Sequence, residues 1–322
     1  MIARPFEPRP GEHRVVVALG GNGLQPPGER GDIQEQFAHT RESLAPIVAL
    51  AAEGWRIAIV HGNGPQIGDE LLRNERARAE LPPLPLGVLV ASTAGWIGHM
   101  IQQSLRNALR KANVDREVVT VVTQTVVEHD GEGRPEKPIG RVLDETTARR
   151  LARELNWDVA PADGGWRRTV RSPRPIAIVE ARAVRTLIDG GTIVIAAGGG
   201  GTPVREDEDD GLVREDAVID KDRAAAVLGT AIGAELLLVL TNVDGVFRDH
   251  GTPSERLIDR LTVAEAEALI RSGELGAGSM RPKVEAAVDF IRSGGRRAHI
   301  ARLDQGLAAV KRLAGTTIEM ES

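Results

Sequence analysis

The sequence predicts an α/β fold: a mostly parallel β-sheet with helices on both faces and one inserted lobe. Three observations carry this. Short continuous apolar runs recur, each ending in glycine or a polar turn. Helical patterns lie between them. One stretch, 127–172, breaks the alternation with Gly, Pro, Arg and Trp.

The apolar runs are Val15–Leu19, Ile57–Val60, Val118–Val122, Ile193–Ala196, Leu236–Leu240 and Ala298–Ile300. Apolar runs without alternation suit strands covered on both faces. Helical patterns cover Gln34–Glu53, Gly95–Ala112, Asp144–Leu155, Ala181–Ile188, Lys221–Ala231, Thr262–Ser272 and Pro282–Ser293. Strand–helix alternation predicts a parallel sheet between helical layers. Asp144 and Thr262 stand where helices should start, and Thr262 with Glu265 has capping-box spacing. The 127–172 stretch reads as a lobe or lid rather than a linker, because Trp157 and Trp166 need something to pack against.

Composition narrows the function. The 322 residues can form one large α/β unit or two lobes. A net charge of -5 gives no sign of nucleic-acid or membrane-surface binding, and the acidic run Glu206–Asp210 reads as a solvated loop. No apolar run is long enough to span a bilayer, and Met1–His13 lacks the apolar centre of a signal peptide. Cysteine is absent, which excludes thiol catalysis and suits a reducing, cytoplasmic location. Tyrosine is absent and aromatics are 2%, so the core must be aliphatic and base-stacking platforms are not expected.

The basic residues carry the strongest functional signal. Of 41 lysines and arginines, only Lys111, Lys137, Lys221, Lys283 and Lys311 are lysine. A background so biased to arginine keeps lysine where a compact point charge on a flexible stem is required. Lys111 and Lys311 each lie beside an arginine in a surface-helix pattern and read as chance survivors. Lys137, Lys221 and Lys283 lie in Lys-Pro-Ile-Gly, Ile-Asp-Lys-Asp and Met-Arg-Pro-Lys contexts and read as chemistry.

Three strand ends open into small-residue loops: Gly20-Gly21-Asn22-Gly23, His61-Gly62-Asn63-Gly64-Pro65-Gln66 and Gly198-Gly199-Gly200-Gly201. Ligands of parallel α/β sheets bind at the carboxyl ends of strands, where glycine lets backbone N–H groups approach an anion. A single such loop is ordinarily a tight turn; three together favour phosphate. No Gly-Lys pair exists, so there is no Walker P-loop. At Gly62 the third glycine, Gly68, comes one residue too late for G-x-G-x-x-G. His61 at a strand end reads as a turn hydrogen bond before it reads as a base. Glycine loops, isolated lysines and a helix start at Asp220-Lys221-Asp222 suffice for phosphoryl transfer by positioning and electrostatics. Asp222 can orient Lys221, or serve the helix dipole, or both.

These loops, with Lys137-Pro138-Ile139-Gly140, Gly165-Trp166-Arg167-Arg168, Val218-Ile219-Asp220-Lys221-Asp222, Val243-Asp244-Gly245-Val246 and Gly278-Ser279-Met280 before Pro282-Lys283, resemble the carbamate kinases of the amino-acid kinase superfamily over nearly the whole chain. The resemblance implies a three-layer αβα sandwich with an open sheet and a protruding subdomain at 127–172. Within one domain, 1–322, roughly 1–200 would be the substrate-side lobe and 201–322 the nucleotide-side lobe. It implies ATP or ADP with Mg²⁺ carried on the nucleotide, carbamate or carbamoyl phosphate as substrate, and a homodimer. By the same resemblance Gly20, Gly21, Asn22, Gly62 and Asn63 would hold the acid substrate. Lys137, Lys221, Asp222 and Lys283 would be catalytic. Gly198, Gly199, Gly200, Gly201, Lys221, Thr241, Val243, Asp244, Val246, Met280 and Lys283 would meet the nucleotide. The chain departs from the family pattern at Arg141-Val142, which bears on lid closure, at Gly87 and Ala94, which bear on the substrate side or the dimer surface, and at Asn242 and Phe247. The alternatives are a related kinase of another small acid and a non-catalytic nucleotide sensor.

Overall fold

The computed structural model describes residues 13–20, 24–25, 31–129, 133–162, 164–275 and 280–321. Along the chain, β1 (Arg14–Leu19) leads to α1 (Ile33–Glu42) and α2 (Ala45–Ala52), and β2 (Arg56–His61) to α3 (Gly64–Ala77) and α4 (Leu86–Lys111). Then come β3 (Val118–Thr120), β4 (Gln124–Val127), β5 (Lys137–Leu143), α5 (Glu145–Leu155), β6 (Asp158–Ala162) and β7 (Gly165–Val170). The chain returns through β8 (Pro175–Ile178), α6 (Ala181–Asp189), β9 (Ile193–Ile195), β10 (Thr202–Asp207) and β11 (Gly211–Arg214). It ends with α7 (Lys221–Ile232), β12 (Leu236–Thr241), β13 (Phe247–Arg248), β14 (Arg256–Leu257), β15 (Arg260–Thr262), α8 (Val263–Ser272), α9 (Met280–Arg292), β16 (Arg297–Arg302), α10 (Gly306–Val310) and β17 (Thr316–Glu319).

The central sheet has eight strands in the order β15-β17-β16-β12-β1-β2-β9-β3. From β16 to β3 the pairings are parallel, and β17 runs antiparallel to β16. The apolar runs became its buried strands because each needs two covers. Val16 and Ala18 face a core with Ala225 of α7 and Val284 of α9. Val15, Val17 and Leu19 face the opposite core with Leu50 of α2 and Ile101 of α4. Fully burying one such aliphatic side chain stabilises by about 1.5–3 kcal/mol, so aliphatic side chains carry most of this core, with Phe290 fully buried among them. The architecture is the three-layer αβα sandwich expected. Among the described residues, no helix is long and apolar enough to cross a membrane.

Several elements differ from the sequence reading. The pattern over 34–53 is two helices, because Pro46 opens the second one; proline lacks an N–H and clashes with the carbonyl four residues back. The pattern over 95–112 begins earlier, at Leu86, behind Pro85 as N-cap. Helix α3 was not anticipated, since Gly64-Pro65 reads as a turn and the residues after it are mostly polar. Proline in the first helical turn is in fact favourable. Glu206 and Asp207 end a hairpin strand rather than lying in a loop, with Glu206 opposite Leu212.

The stretch from Lys137 to Val170 forms its own antiparallel sheet, β5-β7-β6, with α5. It is fastened to α3. Arg141 forks onto Asp69 at 2.9 and 2.8 Å. Arg168 and the Trp157 indole N–H share Glu75 at 2.8 and 2.7 Å, and the Arg168 guanidinium lies 4.6 Å over Trp157. Ile139 and Val170 pack with Ile67 and Leu71 of α3. Between them Gly68 meets Gly140 so closely that a Cβ on Gly68 would lie 2.1 Å from the Gly140 Cα. In an ordinary helix interior Gly→Ala stabilises by about 1 kcal/mol. Here the obstacle is backbone, so Gly68→Ala is expected to destabilise by roughly 1–3 kcal/mol. A thermal melt reads the sign; a raised midpoint would contradict this packing.

Candidate active site

Helix α7 begins where the site is densest. Asp220 is its N-cap, and its Oδ1 accepts from the backbone N–H groups of Asp222 and Arg223 at 2.9 and 3.2 Å. That arrangement fixes the next two side chains. Lys221 Nζ donates to Asp222 Oδ1 at 2.5 Å, and Lys283 Nζ, from α9, reaches Asp222 Oδ2 at 3.3 Å. Lys137 Nζ, from β5, donates to Asp220 Oδ2 at 2.9 Å. The three singled-out lysines therefore converge on two carboxylates at one helix start.

The electrostatics follow from burial. Asp222 is 2% exposed, so its charge is stabilised by the two ammonium groups rather than by water. Burial pushes the Lys221 ammonium below its usual range, helped by repulsion from Lys283 and opposed by Asp222 and Asp220. Burial would raise the Asp220 carboxyl, but the charges of Lys137 and Lys221 outweigh it and hold it well below the usual carboxylate range. Three ammonium groups against two carboxylates leave an excess positive charge, to which the positive end of α7 adds. An anion of several charges is the natural complement.

The glycine loops pack beside this cluster. Gly20 donates to the Leu240 carbonyl at 3.1 Å, and Gly62 to the Leu19 carbonyl at 3.1 Å, so the ends of β1, β2 and β12 are tied together. Asn63 is buried and donates to Thr93 Oγ1 at 2.9 Å. Gly199, Gly200 and Gly201 all have positive φ, which glycine adopts without strain. The loop also has no room for side chains. A Cβ on Gly198 would lie 2.5 Å from His61 Nε2, on Gly199 2.3 Å from the Asn63 amide, and on Gly200 2.6 Å from the Ile219 carbonyl. The loop thus wedges between the 61–63 turn and the residue preceding Asp220.

His61 Nδ1 lies 3.0 Å from the Gly62 carbonyl, the turn contact expected. Burial pushes its pKa down to about 4, with backbone contacts at Gly62 and Ala94 partly offsetting. It is neutral at pH 7.

Other positions spread along the far side. Thr241 ends β12 beside Gly20, and Val243 and Asp244 are half-buried. Arg302 Nη1 lies 3.2 Å from Asp244 Oδ1. Val246 is fully buried in the core, and its backbone N–H donates to Thr316 Oγ1 at 2.8 Å. Met280 opens α9, half-buried against the core. Gly21, Asn22, Gly278 and Ser279 lie outside the described residues. Asp220 is the residue that sequence reasoning passed over as a functional group; its place between Ile219 and Lys221 was the available signal.

Comparison with known proteins agrees with this geometry. Residues 13–302 match the model of the amino acid kinase family, and the chain belongs to that family. Within it, several relatives named carbamate kinase match over nearly their full length. That of Pyrococcus horikoshii is 43% identical over 95% of this chain and 98% of its own. Among solved structures, carbamate kinase from Giardia lamblia bound to citric acid superposes with a TM-score of 0.91 at 34% identity, covering 97% of this chain and 99% of that one. The same enzyme bound to AMP-PNP gives 0.86 at 35% identity, with the same coverage.

Proposed function

We propose that this chain transfers a phosphoryl group reversibly between ADP with carbamoyl phosphate and ATP with carbamate. A β-phosphate oxygen of ADP attacks the phosphorus, the bond to the carbamate oxygen breaks, and carbamate departs to decompose to ammonia and CO2. The observation that carries this reading is the buried cluster of Lys137, Lys221 and Lys283 on Asp220 and Asp222. Phosphoryl transfer asks the protein chiefly to position two anions and neutralise charge on the moving group.

In this reading Lys221 and Lys283 contact the transferring phosphate and the nucleotide phosphates, and Asp222 holds both lysines in place. Lys137 completes the clamp from the lobe. Gly20, Gly62 and Asn63, with Gly21 and Asn22, cradle the acid substrate. Thr241, Val243, Asp244 and Met280 line the nucleotide side, Val246 supports it from the core, and the Gly198–Gly201 loop, its Gly200 and Gly201 N–H groups bonded to Ala197 and Gly198, lets the nucleotide approach the backbone closely. Mg²⁺ enters on the nucleotide, since Asp220 and Asp222 are each held by lysines. A homodimer and a cytoplasmic location belong to the same reading.

The test is ATP formation from ADP, carbamoyl phosphate and Mg²⁺, with acetyl phosphate and other acyl phosphates alongside. Turnover confined to carbamoyl phosphate supports the proposal. Preference for another acyl phosphate would make it a kinase of a different acid, and binding of ATP without turnover of any acid would make it a sensor.

The 127–172 stretch is proposed to act as a lid. Lys137 must enter and leave the site for ligands to exchange, and the lobe rests on α3 through Asp69 and Glu75. Hydrogen exchange in β5, β7 and α3 should slow when ADP and carbamoyl phosphate are added together. Equal protection with and without them would count against a lid.

A further inference from the structure

The Gly198–Gly201 loop is held from behind by two buried hydroxyl groups that the lysine cluster does not involve. Thr125, on β4, is fully buried, and its Oγ1 donates to the Gly200 carbonyl at 2.7 Å. Thr123, just before β4 and equally buried, accepts the Ala197 N–H on its Oγ1 at 3.0 Å. Its backbone carbonyl accepts from the Thr202 N–H at 2.9 Å. Both ends of the loop and the carbonyl of its third glycine are thus fastened to one short segment, 123–125.

The loop needs that fastening. Ala197 is fully buried with φ 47° and ψ 39°, a left-handed conformation that an alanine takes only where its surroundings impose it. Gly199, Gly200 and Gly201 follow with positive φ, so no regular ladder fixes this backbone. Inside the loop, the Gly200 and Gly201 N–H groups bond to the Ala197 and Gly198 carbonyls. Those bonds leave the Gly200 carbonyl to Thr125. The fit there is tight, since a Cβ on Gly201 would lie 2.1 Å from Thr125 Oγ1. The bond commits the negative end of the Gly200 peptide dipole to β4. A carbonyl free to turn into the site would repel an incoming phosphate.

We infer that Thr125, assisted by Thr123, is a positioning residue for the nucleotide: its hydroxyl sets the Gly200 peptide so that the phosphates of ADP meet the loop without facing a carbonyl oxygen. This rests on the reading in which the loop meets the nucleotide, and deepens it. Buried as they are, the two threonines act through the loop rather than by touching a ligand. The same strand carries the chain into the lobe, and β8, which brings it back, is paired to β4. Loop and lobe therefore hang from one strand.

The test compares Thr125→Val, which keeps the shape and puts a methyl group where the donor was, with Thr125→Ser, which keeps the donor. Calorimetry gives the affinity of each variant and of wild type for ADP. It also gives that for phosphonoacetamide, a carbamoyl phosphate analogue whose bridging oxygen is a methylene. Leaving the buried Gly200 carbonyl without its donor should weaken ADP roughly tenfold in Thr125→Val, and the analogue by no more than about twofold. Thr125→Ser should bind ADP within about threefold of wild type, because the hydrogen bond is kept. Should the valine variant not fold, Thr125→Ala removes the hydroxyl without adding bulk and is read the same way. Unchanged ADP affinity in Thr125→Val overturns the assignment. Equal weakening in Thr125→Ser also overturns it, by showing that the methyl packing matters and the hydroxyl does not. So does an equal loss of ADP and analogue affinity, which would mark a general disturbance of the fold. Wild type that binds ADP but makes no ATP would refute the proposed reaction without touching the ADP comparison; wild type that binds no ADP would overturn both.

Discussion

Lys221→Arg is expected to lower turnover nearly as far as Lys221→Ala. Lys221 sits 2.5 Å from Asp222 in a site that also holds Lys283 on the same carboxylate. The side chain is 11% exposed, so there is little free space. A guanidinium is wider and planar, and it would either displace Lys283 from Asp222 or point its charge away from the phosphoryl group. Losing one preorganised charge contact to a transition state commonly costs about 3–4 kcal/mol, or roughly a hundredfold or more in turnover. The fold should survive, because the Asp220 cap on α7 uses backbone N–H groups. Steady-state turnover, with a circular dichroism spectrum to check folding, reads the result. Near-full turnover in Lys221→Arg would remove the reason for reading lysine retention as chemistry.

Lys137→Ala and Lys283→Ala should separate catalysis from nucleotide binding. Lys137 reaches the cluster from β5 through Asp220, while Lys283 is 7% exposed and shares Asp222 with Lys221. An interaction made only in the transition state appears in turnover; one made in both states appears in binding as well. Lys137→Ala should therefore lower turnover by roughly a hundredfold with ADP affinity little changed. Lys283→Ala should lower both. Arg141 does not replace the lost Lys137 charge, because its fork is held by Asp69 of α3. Calorimetric ADP affinity beside turnover decides it. Collapse of ADP affinity in Lys137→Ala with survival in Lys283→Ala would exchange the two roles.

Much of this architecture is legible in the residues because buried parallel strands leave a plain signal. Val15–Leu19 and Leu236–Leu240 are apolar without interruption, and both lie in the centre of the sheet. The caps at Asp144 and Thr262 were equally plain, since the bonds that form them are local. What escaped detection depends on distant partners. Helix α3 is mostly polar on its own, and its apolar face is completed only by Leu89 and Val90 of α4 and by Ile139 and Val170 of the lobe. The hairpin of β10 and β11 is a strand pair because β10 is paired to β4, far earlier in the chain. At the site, lysine scarcity singles out three residues that the fold brings together. It could not show that Lys137 would meet Asp220, because those residues are 83 positions apart. Nor could the quartet Gly198–Gly201 show that its glycines are required by His61, Asn63 and Ile219 as much as by any ligand.

In the proposed reaction, lysine ammonium groups placed by Asp220 and Asp222 carry out phosphoryl transfer. A rapid-quench single turnover, with enzyme in excess over ADP and with Mg²⁺ and saturating carbamoyl phosphate, tests it most directly because it isolates the chemical step from product release. Wild type should form ATP, and Lys221→Arg should form it about a hundredfold more slowly with ADP still bound. No ATP from wild type, or equal single-turnover rates in wild type and Lys221→Arg, would contradict the account.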